Sequence, residues 1–134
     1  TAIVDARSLQ LQGAPAGFRD ELLGPNWLNT GKHPTITFRS GKILRNGLTG
    51  ALVKGDLTMN GVTKPVTIKV RFNGAYPGHP MDPNARIGFS GEGVFNRSSF
   101  GIAAGIPAAG SKMGVGDAVN FSFEAELSGP PMKQ

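Results

Sequence analysis

The sequence predicts an all-β, mainly antiparallel fold whose one sheet curls into an up-and-down barrel. Three observations carry that prediction. Apolar and polar residues alternate over long stretches, above all from Ala51 to Phe72 and from Val119 to Leu127, and a period of two gives a strand one apolar face. Asn-Gly dipeptides at 46–47, 60–61 and 73–74 supply residues that tolerate positive φ in two-residue hairpin turns. Gly 20, Pro 10 and only 17% charged residues in a chain of 134 favour short strands and turns over long surface helices. The length suits one domain with a real core.

Thr1–Leu9 is expected as the first strand, built on Ile3 and Val4, with 10–17 as a Gly/Pro-containing connection. Phe18, Leu22 and Leu23 recur at near-helical spacing and Gly24-Pro25 closes the segment. One short helical element is therefore expected near 16–29, with Trp27 and Leu28 as apolar plugs of a following turn. Thr35–Arg45, Leu48–Met59 and Val62–Phe72 then form a meander. A tight Asn60-Gly61 turn sets Met59 opposite Val62, Leu57 opposite Lys64, Gly55 opposite Val66, Val53 opposite Ile68 and Ala51 opposite Val70 on one mostly apolar face. Leu52 with Lys69 and Lys54 with Thr67 fall on the other. Lys64 is the discordant member: either it snorkels at the rim, or a wider loop over 60–65 changes the register.

Residues 73–84 are expected as a loop and Arg86–Asn96 as a strand with Ile87, Phe89, Gly91, Gly93 and Phe95 on one face. Ser98–Ile106 is expected to continue as a strand, Pro107–Asp117 to form a small-residue loop, and Val119–Leu127 to be the last strand. The domain fills 1–129 and 130–134 is a tail. Six or seven strands result.

Chemistry is sparse. The chain holds no cysteine, so disulfides and thiolate metal sites are excluded. His33-Pro34 and His79-Pro80 lack partners at ligand spacing, and no metal site is expected. No Gly-x-Ser-x-Gly elbow is present, Ser98 and Ser99 have no base in sight, and Asp20 and Glu21 are adjacent on one helical turn and point apart. Gly105–Lys112 mimics a phosphate loop with its Ser and Lys transposed and no helix after it. The formal net charge of +5 comes from scattered basic residues without interleaved aromatics, which argues against a nucleic-acid groove. A solvated basic surface with weak attraction to anionic membranes is what remains. No stretch approaches the roughly 20 apolar residues of a membrane-spanning helix.

The candidate inner face is apolar: Val53, Leu57, Met59, Val66, Ile68 and Val70 from the central hairpin, then Phe72, Phe89, Phe95, Phe100, Phe121 and Phe123. These residues make either an ordinary packed core or the wall of a ligand cavity. Small residues at Ala51, Gly55, Gly91, Gly93 and Ala125 on the same face predict unfilled volume.

The stretch Gly55-Asp-Leu-Thr-Met-Asn-Gly-Val-Thr-Lys-Pro-Val66 resembles the YceI-like family of bacterial polyisoprenoid-binding proteins. So do Arg19-Asp20-x-x-Leu23, His33-Pro34-Thr-Ile-Thr-Phe38, Asn96-Arg97-Ser-Ser-Phe100-Gly101-Ile102 and Val115-Gly116-Asp117-x-Val119, in the family's order over essentially the whole chain. The resemblance implies a lipocalin-like β-barrel in the bacterial periplasm or secreted. It implies non-enzymatic binding or carriage of a long apolar lipid such as an isoprenoid quinone or prenyl phosphate, with no cofactor besides such a lipid. It adds Phe38 to the lining. It makes Arg19, Asp20 and Arg97 structural or headgroup residues, with Arg19 or Arg97 pairing with Asp20 to pin the helix over the barrel end. Family members begin with two further strands that this sequence lacks. The barrel is therefore expected to be open at Thr1–Leu9, and either to close through a homodimer at that edge or to belong to a fragment. The alternative reading is a largely packed barrel that binds partners in envelope stress or electron transfer.

Overall fold

In the computed structural model, which describes residues 1–131, every strand pairs only with its neighbours in sequence. The six strands are β1 (Ala2–Asp5), β2 (Thr35–Asn46), β3 (Gly50–Met59), β4 (Val62–Tyr76), β5 (Asn84–Asn96) and β6 (Ala118–Pro131). They form one antiparallel sheet in the order β1-β2-β3-β4-β5-β6. A single short helix, α1 (Phe18–Leu23), and a following turn to Leu28 lie between β1 and β2. The sheet curls until its two edges face one cavity, with Ala2 and Val4 of β1 across from Phe123 and Ala125 of β6. The result is a lipocalin-like half-barrel with an open side.

The β3–β4 hairpin has the register that alternation implies. Asn60 and Gly61 both take positive φ, 53 and 73, which twists a two-residue turn in the sense the strands need. Met59 then meets Val62, and the pairing continues unbroken to Gly50 opposite Arg71. Thr58 and Thr63 join hydroxyls at 2.7 Å on the outer face. Lys64 stays opposite Leu57 and is exposed, so its ammonium reaches water at the rim without shifting the register.

Four expected boundaries differ. Asn73-Gly74 is not a turn: β4 runs on to Tyr76, and the extra residue forms a bulge between Phe72↔Phe89 and Gly74↔Gly88. Gly74 has φ 156, and a glycine of this kind serves a bulge as readily as a turn, so the loop shrinks to 77–83. β1 ends at Asp5 because the Asp5 carboxylate accepts the Arg7 N–H at 2.9 Å and caps a 3-10 turn over Ala6–Ser8. Residues 98–106 form no strand. Asp117 accepts from the Ser98 N–H at 2.8 Å and the Ser98 hydroxyl at 2.7 Å, which winds Arg97–Phe100 into a 3-10 turn. Finally, Pro130 and Pro131 belong to β6, with Pro131 opposite Asn84. β6 is an edge strand, where proline is tolerated. The rest of the expected tail, 132–134, lies outside the described residues.

Among the described residues, only one end of the half-barrel is plugged. Leu57, Met59, Val66, Ile68, Phe100 and Ile102 are buried there, with Trp27 and Leu28 packed against them. Phe100 is 1% exposed and meets Phe95 edge-on at 5.5 Å.

Three of the five small inward residues, Gly55, Gly91 and Gly93, do not leave the voids that the sequence predicts, while Ala125 lines open space. A methyl group on Gly91 would fall within the Phe123 ring, and one on Gly93 within the Phe121 ring. Phe38 and the β2 backbone cover Gly55 in the same way. These glycines seat aromatic rings flat on the sheet, a known device for stiffening glycine-containing strands. Gly91→Ala is therefore expected to destabilise the protein by about 1–3 kcal/mol through overpacking. Chemical denaturation of the variant checks this, and an unchanged midpoint would mean that the ring is free to leave its seat.

Candidate functional site

The curl and the open side, not missing side chains, create the site. Between the walls lies an apolar trough of about 710 Å³. Its floor is Leu57, Met59, Val66 and Ile68, and its walls are Phe38, Val53 and Val70 on one flank and Phe89, Phe95, Phe121 and Phe123 on the other. Ser122 is the one polar residue among those lining it.

Two sequence candidates lie elsewhere. Phe100 is buried in the plug beneath the trough. Phe72 packs against Phe89 with the rings tilted at 5.8 Å, beyond the lining, and is 38% exposed. Alternation alone missed Ala2, Val4 and Ile36, which line the trough from β1 and β2. Their inward position follows only once the register Val4↔Ile36 and Ala2↔Phe38 is known.

The trough is electrostatically plain. By register, the inner face of the strands carries only two charges. Lys64 sits near the plugged end, and Arg45, opposite Ala51, sits towards the open end. No cluster of three or more His, Asp or Glu occurs among the described residues. The ring of His33 covers Gly61, and Nδ1 of His79 accepts the Met81 N–H at 3.2 Å.

The three polar candidates do not converge on the trough. Arg19 donates to the backbone carbonyls of Leu9 at 2.7 Å and Arg7 at 2.6 Å, tying α1 to the turn after β1. Asp20 is exposed and has no ion pair among the described residues, so the expected pairing with Arg19 or Arg97 is not formed. Arg97 is 4% exposed. It donates to the carbonyls of Gly116 (2.9 Å), Ile102 (3.1 Å), Ala104 (2.6 Å) and Val115 (2.6 Å). Its guanidinium lies 4.7 Å over the Trp27 ring. With four of five N–H groups so engaged, Arg97 is a clamp on the 101–117 loop and not a headgroup ligand. Ser98 hydrogen bonds, with the Arg97 charge adding to them, hold the Asp117 carboxyl below its ordinary range.

Comparison with known proteins fits this geometry. A family model described as "YceI-like domain" matches residues 1–127. A UPF0312 protein of Pseudomonas paraeruginosa is 44% identical over 77 residues, 58% of this chain and 39% of its own length. A UPF0312 protein of Pseudomonas putida is 37% identical over 101 residues, 74% of this chain and 50% of its own. The chain thus spans about half or less of these relatives. Among solved structures, a YceI protein of Campylobacter jejuni superimposes with a TM-score of 0.79 at 22% identity, covering 96% of this chain and 70% of that one. Burkholderia cenocepacia BcnA superimposes with a TM-score of 0.76 at 24% identity, covering 93% and 71%. At that identity the likeness is one of fold.

Proposed function

The chain belongs to the YceI-like family, and on that premise we propose that its half-barrel binds and carries a long apolar lipid, such as a polyisoprenoid, without catalysing a reaction. The observation that carries this reading is the trough itself: about 710 Å³ walled by hydrocarbon with one hydroxyl-bearing residue. That volume lies within the range of small-ligand sites. Transfer of a hydrocarbon chain from water contributes about 0.8 kcal/mol per buried CH₂, so a long tail binds well on apolar contacts alone. A ligand recognised by hydrogen bonds would find almost none to make. The reading places the protein in the bacterial periplasm or secreted, handing lipid to and from membranes, with a second copy covering the open side. Dilute-solution sizing tests the second copy, which a well-folded monomer would rule out.

Organic extraction of the purified protein, followed by mass spectrometry, is expected to release a polyprenyl lipid. Emptied protein is expected to take up added isoprenoid quinone or prenyl phosphate. Recovery of no lipid together with no uptake would end this reading.

A further inference from the structure

We propose that Asn46 is a site of self-modification, at which the Gly47 nitrogen attacks the Asn46 side-chain amide and a carboxylate results. The inference goes beyond lipid binding and does not rest on it. Asn-Gly dipeptides stand at 46–47, 60–61 and 73–74. In each, the glycine has no side chain to shield its own nitrogen or to restrict its backbone. Their local chemistry is the same, and the fold sets them apart.

Two of the three are held. Asn60 donates its side-chain N–H to the Phe100 carbonyl at 3.0 Å, and Phe100 is buried in the plug. The His33 ring lies against Gly61. Asn73 lies inside β4, between the pairs Phe72↔Phe89 and Gly74↔Gly88. Its side-chain oxygen accepts the Ser90 hydroxyl at 3.3 Å. Turning either amide onto the next nitrogen breaks a hydrogen bond and disturbs its surroundings.

Asn46 has neither restraint. It is exposed at the end of β2, and its side chain has no hydrogen-bond partner among the described residues. Gly47 opens the turn at φ 78, and a methyl group on it would meet nothing within 4 Å. Its N–H has no backbone partner among the described residues. β1 covers β2 only over Thr35–Phe38, so β2 is paired here on the β3 side alone. A hairpin end with so few contacts opens locally at little cost.

The Gly47 nitrogen gives its proton to a solvent base and bonds to the Asn46 side-chain carbonyl carbon. The bond from that carbon to the amide nitrogen breaks, and ammonia leaves a cyclic imide behind. Water then adds to either imide carbonyl and breaks its bond to nitrogen, giving aspartate or isoaspartate. One water is consumed and one ammonia is released. The formal net charge falls by one from +5, and the new carboxylate stands next to Arg45, towards the open end of the trough.

Peptide mapping by mass spectrometry tests the proposal after incubation in mildly alkaline buffer, with folded and denatured samples side by side. The denatured chain is the clock, and incubation continues until all three of its asparagines have partly converted. In the folded protein, position 46 should convert about tenfold or more faster than 60 and 73. An enzymatic methyl label for isoaspartate should fall on the same peptide. Asn46→Gln should abolish the acidic form of the folded protein, because the larger ring closes slowly, and should keep the unfolding midpoint. Equal conversion at the three positions of the folded protein overturns the proposal. So does an intact Asn46 once the denatured chain has converted.

Discussion

Arg97→Ala is expected to lower the unfolding midpoint by about 10 °C, from a loss of about 3 kcal/mol spread over some 130 residues. Truncation removes the donor to four carbonyls, those of Gly116, Ile102, Ala104 and Val115. The bond to Ile102 is buried and the others are partly so, and a buried acceptor left without a partner costs about 1–3 kcal/mol. The stack on Trp27 at 4.7 Å goes as well. Arg97→Lys should recover only part of the loss, since an ammonium has no planar fork and stacks poorly. Calorimetry decides the stability, and limited proteolysis should show cleavage of the 101–117 loop well before the sheet unfolds. A loss below about 1 kcal/mol would mean that the loop holds itself.

Val70→Asp is expected to reduce uptake of a neutral isoprenoid by on the order of a hundredfold, because a carboxylate in an apolar, ligand-filled site must either stay charged at high cost or bind a proton against pH 7. Val70 lines the trough and lies between Ala51 and Gly91 on the inner face. The control is Thr67→Asp on the same strand. Thr67 is exposed on the outer face opposite Lys54, so its carboxylate should leave uptake unchanged. Lowering the pH should restore binding to the Val70 variant as the new carboxyl becomes neutral, and should do nothing to the control. Equal uptake by both variants at neutral pH would place the lipid outside the trough.

Much of the fold was legible because its signals are local. The Asn60-Gly61 turn and the alternation around it determined a register over ten residue pairs, and the structure follows it. Other local signals misled where a distant partner decided. Asn73-Gly74 carries the same dipeptide, yet continued pairing with β5 makes it a bulge. Residues 98–106 read as a continuation of the strand before them, but Asp117, nineteen positions from Ser98, turns the chain.

The candidate site shows the same division. Eleven of the thirteen apolar residues picked from the sequence line the trough, while Phe72 and Phe100 do not. Alternation says which way a side chain points and nothing about how far along the barrel it sits. The glycines mark the clearest limit. Gly55, Gly91 and Gly93 read as empty space in one dimension, yet rings from neighbouring strands cover them.

By itself, then, the sequence determined the family, the antiparallel meander and the apolar character of one face, because turn chemistry and period-two patterning act between near neighbours. Only the tertiary structure decided that this face encloses an open trough plugged at one end, and that Arg97 binds carbonyls instead of Asp20. The first outcome depends on the curl that turns β1 and β6 onto one cavity and the second on the 101–117 loop folding back onto Arg97, and neither is a property of near neighbours in sequence.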